Sequence, residues 1–519
     1  MHDPPARADE DTAFRPAYAF RPALALLILH QKETSLMSVI DRSPTRTGGF
    51  VPKLPTRILP PPQIRDLPEP PKRLWRLIGP GIVGAGVGLA SGEFILWPYI
   101  SSQVGLIFLW GALLGVVVQW FLNMEIERYT LATGETALTG FNRFWNHWGI
   151  VFAVMAYLQN LWPGWATSSA TLLTYLVGGN PTVIAIGMLL VIGAALTLAP
   201  VVYVALERLI FVKVAVIGGF VVVALVFAVK AGTWQALPEA ATHVGQFPTQ
   251  LGFALVMGAI AFAGAGGGQN LCQSNWIRDK GFGMGRYVPR LVSTVTGHQE
   301  TGSETAGYVF PPTQANLARW RRWWRFANLE QALSFVLVTI VTIVFMSMLS
   351  HSTVFGLPDL PNSIGFLRIE GEQLKAVVGG WFGILFWAVG AFSLFAAATG
   401  IVDYTSRLAA DILKTTYLRT ARVTESKLYF WLVWGLVGLG CLVLLLGLNQ
   451  PLVLLVISAC VAGTMMFIYS ILLLIMNRRS LPAPLQVRGV RIGVLVFSAG
   501  FFGVLSVLTI TQQVQRLFG

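Results

Sequence analysis

The chain has 519 residues with 37 Lys and Arg against 24 Asp and Glu, so that only 12% are charged while 54% are hydrophobic; the mean hydropathy is +0.64. A soluble domain carries about 25% charged residues, so too little charge is present to cover a water-facing surface, and a soluble multidomain protein is excluded. The net charge of +13 would suggest a nucleic-acid partner unless its placement has another cause.

Residues 1–72 are polar, Pro-rich and irregular, and read as a disordered cytoplasmic tail. The apolar run 23–29 is far shorter than the roughly 20 residues that cross a bilayer, and no small-residue cleavage site follows it. Met37 offers an alternative initiator, and Pro60, Pro61, Pro62, Pro68, Pro70 and Pro71 make the approach to the first helix extended.

Eleven spanning segments follow, at 76–101, 105–126, 149–176, 182–204, 208–229, 251–278, 327–350, 377–402, 428–447, 451–476 and 490–511. Backbone groups in lipid need internal partners, so each is expected to be a helix. With the amino terminus cytoplasmic, 33 of the 37 basic residues fall on the cytoplasmic side, as the positive-inside rule requires. The basic excess is thus topological, the partner is the lipid bilayer, and no nucleic acid is called for. The chain is expected in the cytoplasmic membrane. Its longest loop, 279–326, ends in Arg319, Trp320, Arg321, Arg322, Trp323, Trp324 and Arg325, which read as an interfacial anchor. Cys272, Cys441 and Cys460 lie in apolar stretches and read as small core residues.

Two segments are unusual. The first carries Gly79-Pro80-Gly81, Gly84, Gly86, Gly88 and then Ala90-Ser91-Gly92-Glu93; the sixth carries Gly264-Ala265-Gly266-Gly267-Gly268-Gln269-Asn270 and Gln273. Each helical glycine costs about 1 kcal/mol relative to alanine, so such clusters favour a break. The backbone freed there must line a cavity or bind something. Close packing of the GxxxG kind is the plainer alternative. The two breaks occupy matching places in successive five-helix units, 76–229 and 251–476. An odd number of spans inverts the second unit relative to the first, which is the pattern of secondary transporters with a midplane site. Segment 490–511 is then an eleventh helix outside the repeats.

In these segments the chain resembles the Nramp family of proton-coupled divalent-metal transporters. The likeness covers most of 76–476 and is best from Gly79 to Gly92, at Gln103-Val104-Gly105 with Leu109-Trp110, and at Leu131-Ala132-Thr133-Gly134-Glu135. It implies an all-α polytopic membrane protein of LeuT-type fold, a 5+5 inverted repeat with discontinuous helices 1 and 6. The family's Asp-Pro-Gly-Asn motif falls on Ala90, Ser91, Gly92 and Glu93, and its Met-Pro-His on Gly268, Gln269 and Asn270. Loss of the thioether removes the ligand for soft metals. The remaining oxygens suit magnesium, calcium or manganese, as in Nramp-related magnesium transporters, which also lack the Met. The family's acid in helix 3 and its helix 6 histidines are missing too, leaving Glu93 to take up a proton.

The expected substrate site comprises Ala90, Glu93, Gly264, Ala265, Gln269, Asn270 and Gln273, with Glu93 foremost because an intramembrane acid is functional by default. Glu93 read otherwise caps the second half-helix. Gln119, Asn123 and Asp403 are candidates for a gate or supporting shell. Asp403 with Arg407 four residues on reads first as a surface ion pair, and Glu125, Glu127 and Arg128 read as interfacial. The expected function is alternating-access transport of a hard divalent cation such as Mg2+ or Mn2+, with no catalytic residue and no resident cofactor. The alternative cargo is a small organic solute, an amino acid or amine. A membrane-embedded enzyme or sensor ranks last, since neither HExxH nor GxSxG occurs.

Overall fold

The computed structural model describes residues 52–71, 79–199, 201–289, 291 and 307–518. The run 23–29, Met37 and residues 292–306 of the long loop lie outside the described residues.

The described residues form a helical bundle with one short ladder, in which β1 (Gln63–Ile64) pairs in parallel with β2 (Tyr308–Val309). The first segment comprises α1 (Pro80–Gly88), a turn at Leu89 and Ala90, a π-helical turn Gly92–Leu96 and α2 (Trp97–Val104). Continuous helices follow in α3 (Leu109–Thr133), α7 (Pro181–Leu198) and α8 (Val202–Phe227). Between α3 and α7 come α4 (Ala137–Asn142), α5 (Trp148–Asn160) and α6 (Gly164–Val177). After a short α9 (Ala231–Ala240), the sixth segment splits into α10 (Phe253–Ala261) and α11 (Gly268–Lys280). The second half continues with α12 (Gln314–Glu330), a π-helical stretch Gln331–Leu337, α13 (Val338–Thr353), α14 (Phe366–Val377), α15 (Gly380–Ile412), α16 (Glu425–Leu445), α17 (Pro451–Arg479) and α18 (Val490–Phe518).

Among the described residues, nine helices are long and apolar enough to cross a membrane. The other two expected spans, the third and sixth, are each divided, so neither offers one long helix. The sixth was expected to break; the third was not. Pro163 has no amide hydrogen to continue the ladder, and with Gly164 it separates α5 from α6. The outward faces of α8, α16 and α18 carry exposed Val226, Leu445 and Val504, the apolar surface that lipid covers.

Two further expectations change. Residues 52–71, part of the stretch read as disordered, run extended and are anchored. Leu54, Leu59 and Leu67 are buried, Arg143 donates to the carbonyls of Pro55 and Pro60, and Trp323 donates to that of Pro68. The Arg-Trp run thus grips this segment, with Arg319 and Arg322 both paired to Glu69. It is not a membrane anchor alone.

Asp403 and Arg407 are fully buried rather than at the surface. Arg407 also reaches Asp279 on α11, and Tyr429 on α16 donates to Asp403 at 2.7 Å. Glu125, Glu127 and Arg128, read as interfacial, are buried as well. Arg128 pairs with Glu125 at 2.7 Å and lies over the Trp324 ring. These helix ends have folded inward against one another, which hydropathy cannot show.

Candidate functional site

The two breaks meet backbone to backbone. A Cβ on Gly88 would stand 1.5 Å from the carbonyl oxygen of Gly264, and one on Gly92 would stand 2.0 Å from that of Phe262. Only glycine permits that approach. Gly264 itself has φ +114, a conformation open to few other residues.

Each freed backbone group then needs a partner. Gln119 of α3 reaches into the sixth-segment break and serves both sides of it. Its Nε2 donates to the carbonyls of Ile260 and Ala261, and its Oε1 accepts from the amides of Ala265 and Gly266 at 2.8 and 2.9 Å. Gln159 Oε1 accepts from the amide of Gly268, the first residue of α11. On the first segment, Gln269 donates to the carbonyl of Gly84 at 2.6 Å, and Ser393 to that of Leu89 at 2.9 Å. Lys213, fully buried on α8, donates to the carbonyl of Gly86 at 2.6 Å.

Glu93 sits at the start of the second half of this segment, fully buried. Its Oε2 accepts from the Ala90 amide at 3.3 Å, as a carboxylate in the first turn of a helix does. Its Oε1 has no hydrogen-bond partner among the described residues. Its neighbours include the Gly264 backbone and the charge of Lys213.

Between the breaks lies a cavity of about 10 Å³, the room that one water molecule needs. Its wall holds Gly88 and Ser91, then Gln159, Asn160 and Trp165, then Gly264, Ala265 and Gln269, and Tyr404 from α15. Gln159 donates to the Tyr404 hydroxyl, which donates to Asn160 Oδ1, each at 3.1 Å. The polar wall is therefore neutral amide, hydroxyl and backbone. No group of three or more His, Cys, Asp or Glu able to hold a metal occurs among the described residues.

The structure thus places Gly264, Ala265 and Gln269 on the cavity, and Ala90 with Glu93 in the break beside it. Asn270 is turned away, donating to Asn123 at 2.7 Å and accepting from Tyr469. Gln273 is buried with its Nε2 unpartnered, and it too is absent from the wall. Asn123 supports Asn270, and Asp403 belongs to the ionic network described above. Sequence reasoning missed Gln159, Asn160, Tyr404 and Lys213. The signal for the first two was Pro163-Gly164 just beyond them. Lys213 was counted among cytoplasmic residues because the fifth span was expected to begin at 208; α8 begins at Val202, which moves Lys213 to mid-helix. Without it, the sequence count for the side expected to be cytoplasmic is 32.

The ends of the two broken segments away from the cavity are tied to neighbouring helices. Glu330 accepts from the amides of Gly79 and Gly81 at the start of α1, at 3.2 and 2.9 Å. The far end of α11 is held by Asp279 to Arg407, by Arg278 to Asp411 at 2.5 Å and by Lys280 to Glu207 at 2.7 Å.

No protein-family model matches the chain, and no curated protein matches it. Among solved structures it is similar to a manganese transporter of the bacterium Eremococcus coleocola. Against one variant of that protein the identity is 13% and the TM-score 0.63, covering 89% of this chain and 92% of the other. A second variant gives the same identity and score over 88% and 91%. The same transporter bound to an aromatic bis-isothiourea compound gives 13% and 0.63 over 87% and 90%. At this identity the likeness establishes the fold, an all-α polytopic membrane fold with discontinuous first and sixth helices.

Proposed function

We propose that this protein is a secondary transporter that moves a divalent metal cation across the cytoplasmic membrane by alternating access, with its amino terminus on the cytoplasmic side. The observation that carries this reading is the contact of two broken helices through Gly88 and Gly264, beside a cavity of about 10 Å³ whose polar lining is amide, hydroxyl and backbone. A cavity of that size suits a single small ion. Its donors, Ser91, Gln159, Asn160, Gln269 and the carbonyls near Gly264, are hard oxygens, which favour Mg2+ or Mn2+ over softer metals. Glu93 supplies negative charge from the break itself, beside the cavity, and its Oε1 has no hydrogen-bond partner among the described residues. Opening one end while the other stays latched would expose the site to each side in turn.

The neutral wall, with Lys213 near Glu93, favours a second reading in which the cargo is a small organic solute. The two separate in proteoliposomes offered magnesium, manganese, calcium, amino acids and amines. Metal uptake that Glu93→Gln abolishes without loss of folded protein is the expected result. Uptake of an organic solute with no metal flux would replace the first reading by the second.

A further inference from the structure

A fully buried lysine in a membrane helix is expensive and calls for a specific role. Lys213 lies at mid-helix on α8, and its ammonium is bonded to Gly86 O, a carbonyl at the end of α1 beside the break. That end is the negative pole of a half-helix, the place where transporters with broken helices bind their coupling cation.

We propose that Lys213 is a built-in coupling cation: its ammonium fills the cation position at the end of α1, and gain or loss of its proton takes the place of binding and release of an inorganic ion. The inference rests on the transporter reading. The charged ammonium ties α8 to α1; the neutral amine is a weaker donor and loosens that tie, so half-helix α1 is held when Lys213 is protonated and freed when it is not. Transport is then driven by protons and is indifferent to sodium.

The surroundings leave Lys213 one ionic neighbour. α8 packs on α1, α13 and α15. No ionisable side chain occurs in α1 itself, and the segment that follows supplies Glu93, whose charge acts on Lys213. On α13 the ionisable residue is His351, in the last turn and bonded with Thr233. On α15, Asp403, Arg407 and Asp411 are engaged with α11 and α16. On α8 itself, Glu207 pairs with Lys280 and accepts from Tyr203, and Arg208 stands five residues before Lys213.

The test has two arms. In detergent-solubilised protein, hydrogen exchange of the amides of 80–88, corrected for intrinsic rates, is followed from mildly acidic to mildly alkaline pH. Wild type is expected to show exchange rising by up to about tenfold per pH unit, the factor by which a single site's protonation ratio changes. Lys213→Gln and Lys213→Arg should give flat profiles, the arginine variant serving if the glutamine variant does not fold. A flat wild-type profile, or a slope surviving in either variant, overturns the proposal. In proteoliposomes with manganese as probe, an inward proton gradient should accelerate wild-type uptake several-fold and a sodium gradient should not; sodium dependence overturns the proposal. Absence of manganese uptake under every condition would count against the metal reading, while the exchange arm still decides the role of Lys213.

Discussion

Gly88 and Gly264 touch through their backbones, the α-carbon of one pressed against the carbonyl of the other, so that a methyl group on Gly88 would stand 1.5 Å from that oxygen. Gly88→Ala must therefore force the two breaks apart. Overpacking of this kind costs about 1–3 kcal/mol, and uptake should fall with it. Gly218→Ala on α8 is the control, since its added methyl meets nothing within 4 Å. Thermal unfolding of the two variants checks this: equal midpoints would show that the breaks have room to spare.

Gln119 holds both sides of the sixth-segment break with one amide. Gln119→Leu keeps the bulk and leaves those backbone groups unmet, each at about 1–3 kcal/mol. Lower stability and faster hydrogen exchange at 262–268 are expected. Exchange unchanged from wild type would mean that the break satisfies itself.

The latch between Asp279 and Arg407 is buried on both sides, and removing one partner of such a pair costs about 3–5 kcal/mol. Asp279→Asn should free the end of α11. Cys272, buried on α11 near this ionic network, reports the change. With Cys441 and Cys460 replaced by serine, labelling of Cys272 by a membrane-impermeant maleimide should accelerate in the variant. An unchanged rate would show that the ion pair does not hold this end closed.

Glu370 on α14, between the seventh and eighth spans, is buried, with the Thr353 side chain beside its carboxyl. Burial pushes its carboxyl from 4.5 up to about 8. The folded state thus holds a proton that the unfolded chain releases, so stability is greatest below about pH 4.5 and falls as pH rises toward 8, by at most about 1.4 kcal/mol per unit. Glu370→Gln should remove that slope and raise stability at neutral pH. Unfolding midpoints measured across the window check it; a slope surviving in the variant would assign it to other groups.

Hydropathy and glycine clustering made the spans, the repeat and the two main breaks legible, because lipid forces long apolar runs and a break at that depth needs residues that tolerate one. The cavity wall was less legible. Gln159 and Asn160 come from a third interruption that a single Pro-Gly pair announces, and Tyr404 arrives from a helix hundreds of residues away. Lys213 was hidden by a boundary error of six residues, since a helix starting earlier carries a basic residue from its rim to its middle. Asn270 shows the opposite failure. Its position beside the break is right, but the side chain faces Asn123 and Tyr469, and only packing decides direction.

The extended segment before the first helix also sets a mechanical limit. Arg143 grips it at Pro60, while Arg319 and Arg322 grip it at Glu69. An extended chain gains about 3.3–3.6 Å per residue, so those nine intervening steps form a leash of about 30 Å. While both ends stay gripped, the stretch after α4 and the start of α12 can swing apart no farther than that. The stroke of any rocking motion is capped by a segment that lies outside the cavity wall.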